Sequence, residues 1–439
     1  MKSAVLRPVA AVAVALLLTA CTTNSGPAAE TRISDAGEVT LTVWDQELVG
    51  GQDVQMEKLN EAFHRKYPNV RIRRVKRSLE DLRKALHTAG AIDGPPDVVQ
   101  VNQGYADMAR LVAGKRLRPL DSYDHIYGWS KRYPKGLLDI NSVTPDGRTV
   151  GSGSLYGVSL NGEIVGIFYN RKKLARLGLR PPSSWAEFER ALAIAKDHGE
   201  VPISLGNRQP IPVTHSFGVI QDQVAGRRAV RDLFFGRGGS WTDAANLRAA
   251  RTLQEWVRRG YLVAHRGGLA YDDDAFAAGE GVFLIGGTWF ASGLGEHMAG
   301  DVGFVLPPPA RAGGAPTTMG GESLPFAVTA ESEHPEVAAA YLDFISSPQA
   351  MDVVTEAGLL PALKPGSRRP RTAVLKDVFA AWDTLSRTDG LTPYIDNATP
   401  TFPDVLGNAL LKLVAGRTGP RDGMAEVQKN YAAFLTARR

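Results

Sequence analysis

The chain has 439 residues, a formal net charge of +5, a hydrophobic share of 44% and a single cysteine. Its length suffices for two or more domains with buried cores, and one cysteine excludes both an internal disulfide and a zinc site built on several thiolates. The one tight basic run, Arg71 to Arg77, alternates with Ile72 and Val75. This pattern indicates an edge strand with a solvated face, so we expect no nucleic-acid partner.

The first twenty residues have the pattern of an export signal. Two basic residues precede an uncharged apolar run over 9–18, which is too short to span a bilayer, and small residues occupy 19–20. Cys21 follows directly, an arrangement that resembles the bacterial lipobox, in which this thiol is acylated. The resemblance implies that residues 1–20 are removed and that Cys21 anchors the protein to the outer face of the bacterial cell membrane. Ordinary secretion with an unpaired thiol is the alternative.

Residues 21–37 then combine the cysteine with a stretch rich in Thr, Ser, Ala and Gly that has no apolar periodicity. We expect a flexible tether here.

Strand-like and helix-like segments alternate in the next part of the chain. Residues 39–43 predict a strand, and apolar residues then recur at mostly four-residue steps until Pro68 ends a helix. A second strand around 72–75, a helix that starts at Ser78, and a third strand at 97–101 complete a βαβαβ unit.

A second unit begins with a strand over 164–169, and Ser184 with Glu187 forms a capping box that predicts a helix start. Further strands are predicted at 201–205, 282–285, 302–306 and 324–329, and further helices over 247–260 and from 334. The order of these elements suggests that the chain crosses between two lobes more than once.

Several segments resemble, in order, those of the family 1 extracellular solute-binding lipoproteins of bacterial sugar ABC transporters. They are residues 41–44, 97–99, 157–158 followed by 165–170, 182–188, 320–324 and 334–344. The resemblance implies an α/β fold of the type II periplasmic-binding-protein class, in which each of two lobes is a parallel or mixed sheet flanked by helices and the ligand cleft lies between them. We expect an N-terminal lobe of 38–159 plus 309–358 and a C-terminal lobe of 160–308 plus 359–439.

The same resemblance implies a monomeric receptor that captures a sugar or oligosaccharide and delivers it to ABC permease subunits for import, without a cofactor. Two other functions stay open at this point. One is a lipid-anchored receptor that signals to a sensor system, and the other is a surface carbohydrate-active hydrolase.

Ligands of open parallel sheets lie beyond the carboxyl ends of the strands, so polar and aromatic residues at those ends are candidates for sugar contact. Carboxylates and amides pair with hydroxyl groups, aromatic rings stack on the C–H faces of sugars, and glycine lets backbone approach a ligand closely. The candidates are Trp44, Asp45, Glu47, Asn102, Gln103, Asn161, Asn207, Trp289, Gly321, Glu322 and Tyr394. Each polar candidate could instead form a turn or cap a helix.

Catalytic motifs are missing from the sequence. Ser159 follows Gly157 but has Asn161 where a nucleophile elbow needs its second glycine. Asp45 and Glu47 are too close in one loop to flank a glycosidic bond as an acid–base pair. Residues 272–274, three aspartates, lack the other ligands of a calcium loop and predict a solvated turn, so we expect no metal site and no enzyme.

Overall fold

The computed structural model describes residues 33–438 except 49, 88–93, 207–208, 265–272 and 312. Cys21, the signal segment and most of the predicted tether therefore lie outside the described residues.

The N-terminal part of the chain builds a four-stranded sheet. From one edge to the other, its strands are β2 (Val70–Lys76), β1 (Val39–Asp45), β3 (Val98–Gln100) and β12 (Phe326–Val328). β1 runs parallel to β2 and β3, and β12 runs antiparallel to β3. The predicted βαβαβ unit is confirmed, and β2 is the edge strand that its alternating basic residues predict.

A seven-stranded mixed sheet organises the second part. The strands not yet named are β4 (Ser142–Val143), β5 (Ser154–Leu155), β6 (Gly162–Asn170), β7 (Ile203–Leu205), β8 (Leu262–Ala264), β9 (Phe283–Gly287), β10 (Val302–Val305), β11 (Thr318–Glu322) and β13 (Leu391–Thr392). The sheet has the order β13-β11-β6-β9-β7-β8, with β10 also paired to β6, while β4 and β5 form a separate hairpin. β6 is central because it pairs with β9, β10 and β11.

Helices cover the two sheets and connect their strands. Those of the first half are Gly50–Lys66, Leu79–His87, Met108–Ala113, Asp121–Tyr127, Trp129–Arg132, Lys135–Ile140, Arg171–Arg176, Trp185–Asp197, Ile211–Ala225 and Arg227–Phe235. Those of the second half are Ala244–Arg258, Asp273–Ala277, Ala291–Met298, Pro335–Ile345, Pro348–Glu356, Ala373–Thr388, Phe402–Val414 and Pro420–Arg438, with 3₁₀ turns at Thr288–Phe290, Ala299–Asp301 and Ile395–Asn397. Among the described helices, none is both long and apolar enough to cross a membrane.

The predicted capping box at Ser184 forms in part. The Ser184 hydroxyl accepts a hydrogen bond from the backbone N–H of Glu187 at 3.3 Å, as the motif requires. The Glu187 carboxylate accepts from the N–H and hydroxyl of Ser183 instead, at 2.8 and 2.7 Å. The second arm of the box is therefore shifted by one residue.

The chain passes between the sheets repeatedly, as its element order suggests. After β10 it forms β11 in the larger sheet and then β12 in the smaller one. The predicted boundaries placed 309–358 in the N-terminal lobe, whereas the hydrogen bonds of β11 are with β6 and β13. The assignment of the remaining segments to lobes stays a prediction.

Aromatic side chains fill the interior beside each sheet. Phe63 meets Tyr341 edge-on, with ring centroids 5.3 Å apart, in the cluster that supports the smaller sheet. Phe168 and Phe304 meet at 4.9 Å in a cluster that supports the larger one. Since such rings pack at close to crystal density, side chains added between them must displace neighbours.

Gly166 on β6 tests this packing. A Cβ atom at this position would lie 2.1 Å from Cζ of the buried Phe304 ring and 3.0 Å from the carbonyl oxygen of Val305. We therefore expect Gly166→Ala to lower the free energy of unfolding by about 1–3 kcal/mol, measured by urea denaturation.

The matched control is Gly293→Ala, in the exposed part of helix Ala291–Met298, where an added Cβ has no neighbour within 4 Å. It should raise the free energy of unfolding by up to about 1 kcal/mol through helix propensity alone. Equal effects of the two substitutions would contradict the packing argument.

Candidate functional site

A cavity of about 360 Å³ lies where strand ends of both sheets meet. The smaller sheet contributes Gln46 and Leu48, which follow β1, and Asn102 and Gln103, which follow β3. These are positions at the carboxyl ends of parallel strands, where ligands of open α/β sheets bind.

The larger sheet supplies the opposite wall. Glu163 lies on β6, Glu322 ends β11, and Trp289 belongs to the turn Thr288–Phe290 that directly follows β9. The segment 394–397 closes a third side. Of the residues predicted from sequence, the cavity therefore brings together Asn102, Gln103, Trp289, Glu322 and Tyr394.

Aromatic rings cluster on one wall of the cavity. The His215 ring lies 5.6 Å from the Trp289 ring and 6.1 Å from the Tyr394 ring, measured between centroids. Phe290 meets Trp289 edge-on at 5.5 Å. Burial lowers the pKa of His215 to about 4, so this imidazole is neutral at physiological pH and extends the apolar wall.

Hydrogen bonds connect the two sides of the site. The amides of Asn102 and Asn397 bond reciprocally, with N–O distances of 3.3 and 3.2 Å, and the N–H of Tyr105 donates to the carbonyl of Asn397 at 2.9 Å. Gln103 Nε2 donates to the carbonyl oxygen of Glu322 at 3.4 Å. The residues after β3 are thus held against the C-terminal loop and against β11.

Glu322 is a buried carboxyl group, 1% exposed, at the base of the cavity. Burial raises its pKa to about 8, although hydrogen bonds from Ser159 and Asn141 act in the opposite direction. The acid is therefore mostly protonated near neutral pH, when it can donate as well as accept a hydrogen bond.

The structure places other predicted residues in the interior beside the cavity. Asp45 is fully buried, and Arg74 binds both of its carboxylate oxygens at 2.7 Å. Glu47 accepts a hydrogen bond from Gln100 at 2.8 Å, and burial raises its pKa to about 7. Neither side chain lines the cavity, because both turn inward to protein partners.

Trp44 and Asn161 are also occupied by protein contacts. Trp44 is 1% exposed, and the guanidinium of Arg77 lies 4.2 Å from its ring centroid. Asn161 exchanges two amide hydrogen bonds of 3.0 Å with Gln55 and lines a small neighbouring cavity instead.

The two glycines before Glu322 serve the pairing of strands. An added Cβ at Gly320 would lie 2.4 Å from the carbonyl oxygen of Glu163, and Gly321 has φ +143°, a conformation that side-chain-bearing residues rarely adopt. Gly321 is not among the residues that line the cavity. Asn207 lies outside the described residues.

The described titratable lining residues that are absent from the sequence candidates number four: His215, Glu163, Asp396 and Asp273. Glu163 lies two residues beyond the predicted Asn161, on the same face of an alternating strand, so a period-two analysis could have found it. Asp273, expected in a solvated turn, is partly buried and lines the cavity. His215 lies on a helix whose residues 212–222 are all buried. The sequence around it does not distinguish a ligand-contacting histidine from one in the protein core.

A larger open cleft of about 880 Å³ lies on the outer surface between helices Trp185–Asp197 and Ala244–Arg258. None of the predicted site residues is among those that line it. Among the described residues no group of three or more His, Cys, Asp or Glu has the arrangement of a metal site.

Comparison with known proteins points to one family. A family model described as bacterial extracellular solute-binding protein matches residues 50–352. A multiple sugar-binding protein of Streptococcus mutans is 21% identical over 376 residues, 82% of each chain. An uncharacterized ABC transporter extracellular-binding protein of Pyrococcus horikoshii is 28% identical over 200 residues, which are 42% of this chain and 41% of that protein.

Among solved structures, a chitin oligosaccharide binding protein superposes with a TM-score of 0.76 at 20% identity, over 91% of this chain and 100% of the other. At this level of identity the likeness establishes the shared two-lobed fold.

Glu322 makes stability depend on pH. Its pKa is raised from 4.5 to about 8 in the folded protein, so the stability contributed by the neutral acid is present below about pH 4.5 and is lost as the pH rises through 8. Glu322→Gln stays neutral at every pH. We expect the free energy of unfolding of this variant, relative to the parent, to increase by an amount on the order of a few kcal/mol between about pH 5 and about pH 8.5.

Urea denaturation at several pH values measures this difference. Glu61→Gln is the control, because it removes a carboxyl group that is 72% exposed rather than buried. A flat profile for Glu322→Gln would contradict the assignment of a desolvated neutral acid.

Proposed function

The chain belongs to the bacterial extracellular solute-binding proteins, and we propose that it captures a sugar or oligosaccharide and delivers it to the permease of an ABC transporter for import. The observation that carries this proposal is the composition of the cavity. The cavity combines an aromatic cluster around Trp289 with the amides of Asn102 and Gln103 and the carboxyl groups of Glu163 and Glu322.

This composition suits the two surfaces of a sugar ring. The C–H faces of the ring pack on an aromatic plane, while its hydroxyl groups need partners in the plane of the ring. Every hydroxyl that enters the cavity without a partner costs about 1–3 kcal/mol, so a wall of carboxyl and amide groups favours polyhydroxylated ligands over apolar ones of the same volume. The sugar-binding description of the Streptococcus mutans relative supports this choice.

Capture would draw the two lobes together around the ligand. Residues after β1 and β3 form one wall and residues of β6, β9 and β11 the other, so a bound sugar contacts both sheets at once. Such a ligand binds the closed form more tightly than the open one and shifts the population toward it. In this proposal the closed monomer is the form that the permease recognises.

The location of the protein follows in two steps. The family is extracellular, and the acylated Cys21 would keep the receptor at the outer face of the membrane beside its permease. The predicted tether over 21–37 is too long at its end, because Ile33 is 2% exposed and packs in the core cluster beside the smaller sheet. In this proposal the tether is the segment before Ile33, and a tether that holds the receptor close to its partner raises the effective concentration of the encounter.

Trp289→Ala tests the sugar site. We expect the soluble part of the chain, from residue 22, to gain thermal stability with a sugar from a panel of mono- and oligosaccharides, because a ligand that binds only the folded state raises Tm. Removal of the Trp289 ring should lower the affinity for that sugar by about tenfold or more, measured by calorimetry.

Trp185→Ala is the matched control, since this partly buried ring stacks on Trp256, with centroids 5.6 Å apart, outside the cavity. It should lower Tm without changing the affinity for the sugar. A panel in which no saccharide raises Tm and another class of solute does would contradict the proposed ligand.

Cys21→Ser tests the anchor. In a bacterial host the parent chain should incorporate a fatty acid label and fractionate with membranes, whereas the variant should carry no label and appear in the soluble extracellular or periplasmic fraction. A labelled, membrane-bound variant would show that the anchor is not at Cys21.

A further inference from the structure

Carboxyl groups from several elements converge on the cavity. Glu163 of β6, Glu322 of β11, Asp273 of helix Asp273–Ala277 and Asp396 of the 3₁₀ turn Ile395–Asn397 all line it. Among the described residues that line it, none is a lysine or an arginine. The described wall of the cavity is therefore rich in groups that attract positive charge.

Buried polar atoms around the cavity point to the same kind of ligand. Gln103 lines the cavity and is 4% exposed, and its Oε1 has no hydrogen-bond partner, whereas its Nε2 already donates to Glu322. Glu47 Oε2 and Asn141 Oδ1, directly behind the wall, also lack partners. The two amide oxygens, of Gln103 and Asn141, can only accept hydrogen bonds, and the carboxyl oxygen of Glu47 accepts when the group is ionised. A buried acceptor without a donor costs free energy.

Hydrogen-bonding capacity separates the candidate ligands. A hydroxyl group brings both a donor and acceptors, so it satisfies one acceptor and demands a donor in return. A protonated primary amine brings three donors and no acceptor. An excess of buried acceptors is therefore matched better by an ammonium group than by another hydroxyl.

The charges around the acids also favour an ammonium group on the ligand. The pKa of Glu163 is raised well above its ordinary value by burial first, and then by the charges of Glu47 and Glu322. Arg83 is the cation that acts on Asp396, but it already pairs with Asp107 at 2.8 Å. Glu163 and Glu322 are close enough to repel one another when both are ionised, and no described lysine or arginine lines the cavity to compensate them. An ammonium group on the ligand would stabilise their ionised forms.

The aromatic wall also suits a cation. Trp289, Phe290 and Tyr394 line the same cavity as the acids, and aromatic faces attract ammonium groups as well as C–H faces. One ligand could thus place a ring on the aromatic wall and its amine toward the carboxyl groups.

We propose that the preferred ligand is a saccharide that carries a protonated primary amine, bound with the amine among Glu163, Glu322 and the carbonyl oxygen of the Gln103 side chain. The inference rests on the saccharide-binding function proposed above and specifies the chemical class of the sugar.

The test compares three forms of each saccharide: the parent sugar, the 2-amino-2-deoxy sugar and its N-acetylated derivative. Calorimetry measures the affinity of the soluble chain for each form in four series: glucose, galactose, mannose and the β-1,4-linked glucose disaccharide. The pH is slightly below neutral, so that the amines are protonated. In the series that binds most tightly, the amino form should bind about ten- to a hundredfold more tightly than the other two, as expected for hydrogen bonds to a charged donor. The N-acetylated form keeps the nitrogen and adds bulk but carries no charge.

Glu163→Gln should reduce this preference to less than about threefold, because glutamine keeps the shape and accepts hydrogen bonds without negative charge. The readout is the ratio of the affinities for the amino form and the parent sugar, which a general loss of sugar binding would not change. Glu61→Gln removes the same charge from an exposed helix position and should leave the preference intact. Loss of the preference in both variants would assign it to the overall charge of the protein and overturn the proposed site.

The outcomes separate this inference from the function on which it rests. If neutral or N-acetylated sugars bind as tightly as the amino forms, the ammonium site is wrong while saccharide capture stands. If no saccharide binds at all, the proposed function fails, and the inference fails with it.

Discussion

The guanidinium group of Arg74 holds the first wall of the site in place. It binds both carboxylate oxygens of Asp45 at 2.7 Å, Asp53 at 2.6 Å and the backbone carbonyl of Glu47 at 2.5 Å. Four oxygen atoms, from three groups in β1, the following loop and helix Gly50–Lys66, are therefore fixed by one side chain of β2. A planar fork with five donors can satisfy all of them, which an ammonium group with three donors could not.

The loop that Arg74 fixes is the one that presents Gln46 and Leu48 to the cavity. Gln100 completes the support, since its amide accepts from the N–H of Gln46 at 2.8 Å and donates to Glu47 at 2.8 Å. Burying these charges is expensive, and ion pairs in the interior rarely repay the full cost of desolvation. Their benefit is a loop held in one conformation, which reduces the entropy lost when a ligand binds.

Like the buried ion pairs of Arg74, the carboxyl groups of the cavity lower the stability of the folded protein. Glu322 and Glu163 would cost less as glutamines, because burial opposes their ionisation and no described cation faces them across the cavity. Local conflicts of this kind concentrate at functional sites. Elsewhere the residues suit their surroundings. The apolar strands β1 and β6 are largely buried, and helices cover the sheets that contain them.

The sequence by itself determined much of the element order, the alternating α/β character and the positions at strand ends. Local patterns sufficed for these features, because alternation, four-residue steps, prolines and caps act over a few residues. They also located Trp289, Asn102 and Glu322 at the cavity. Only the tertiary structure decided which polar residues face the ligand and which face the protein.

Asp45 and Glu322 follow the same local rule, a carboxyl group at the end of a buried strand, yet Asp45 meets Arg74 from the neighbouring strand while Glu322 lines the cavity. His215 likewise reaches the site because its helix packs against the strands around Trp289 and Tyr394. Whether a buried polar group is paired with protein or is left to face the ligand depends on residues that are distant in sequence. Hydrophobic pattern is a property of the local chain, whereas the pairing of buried polar groups depends on contacts that exist only after the two sheets and their helices have packed.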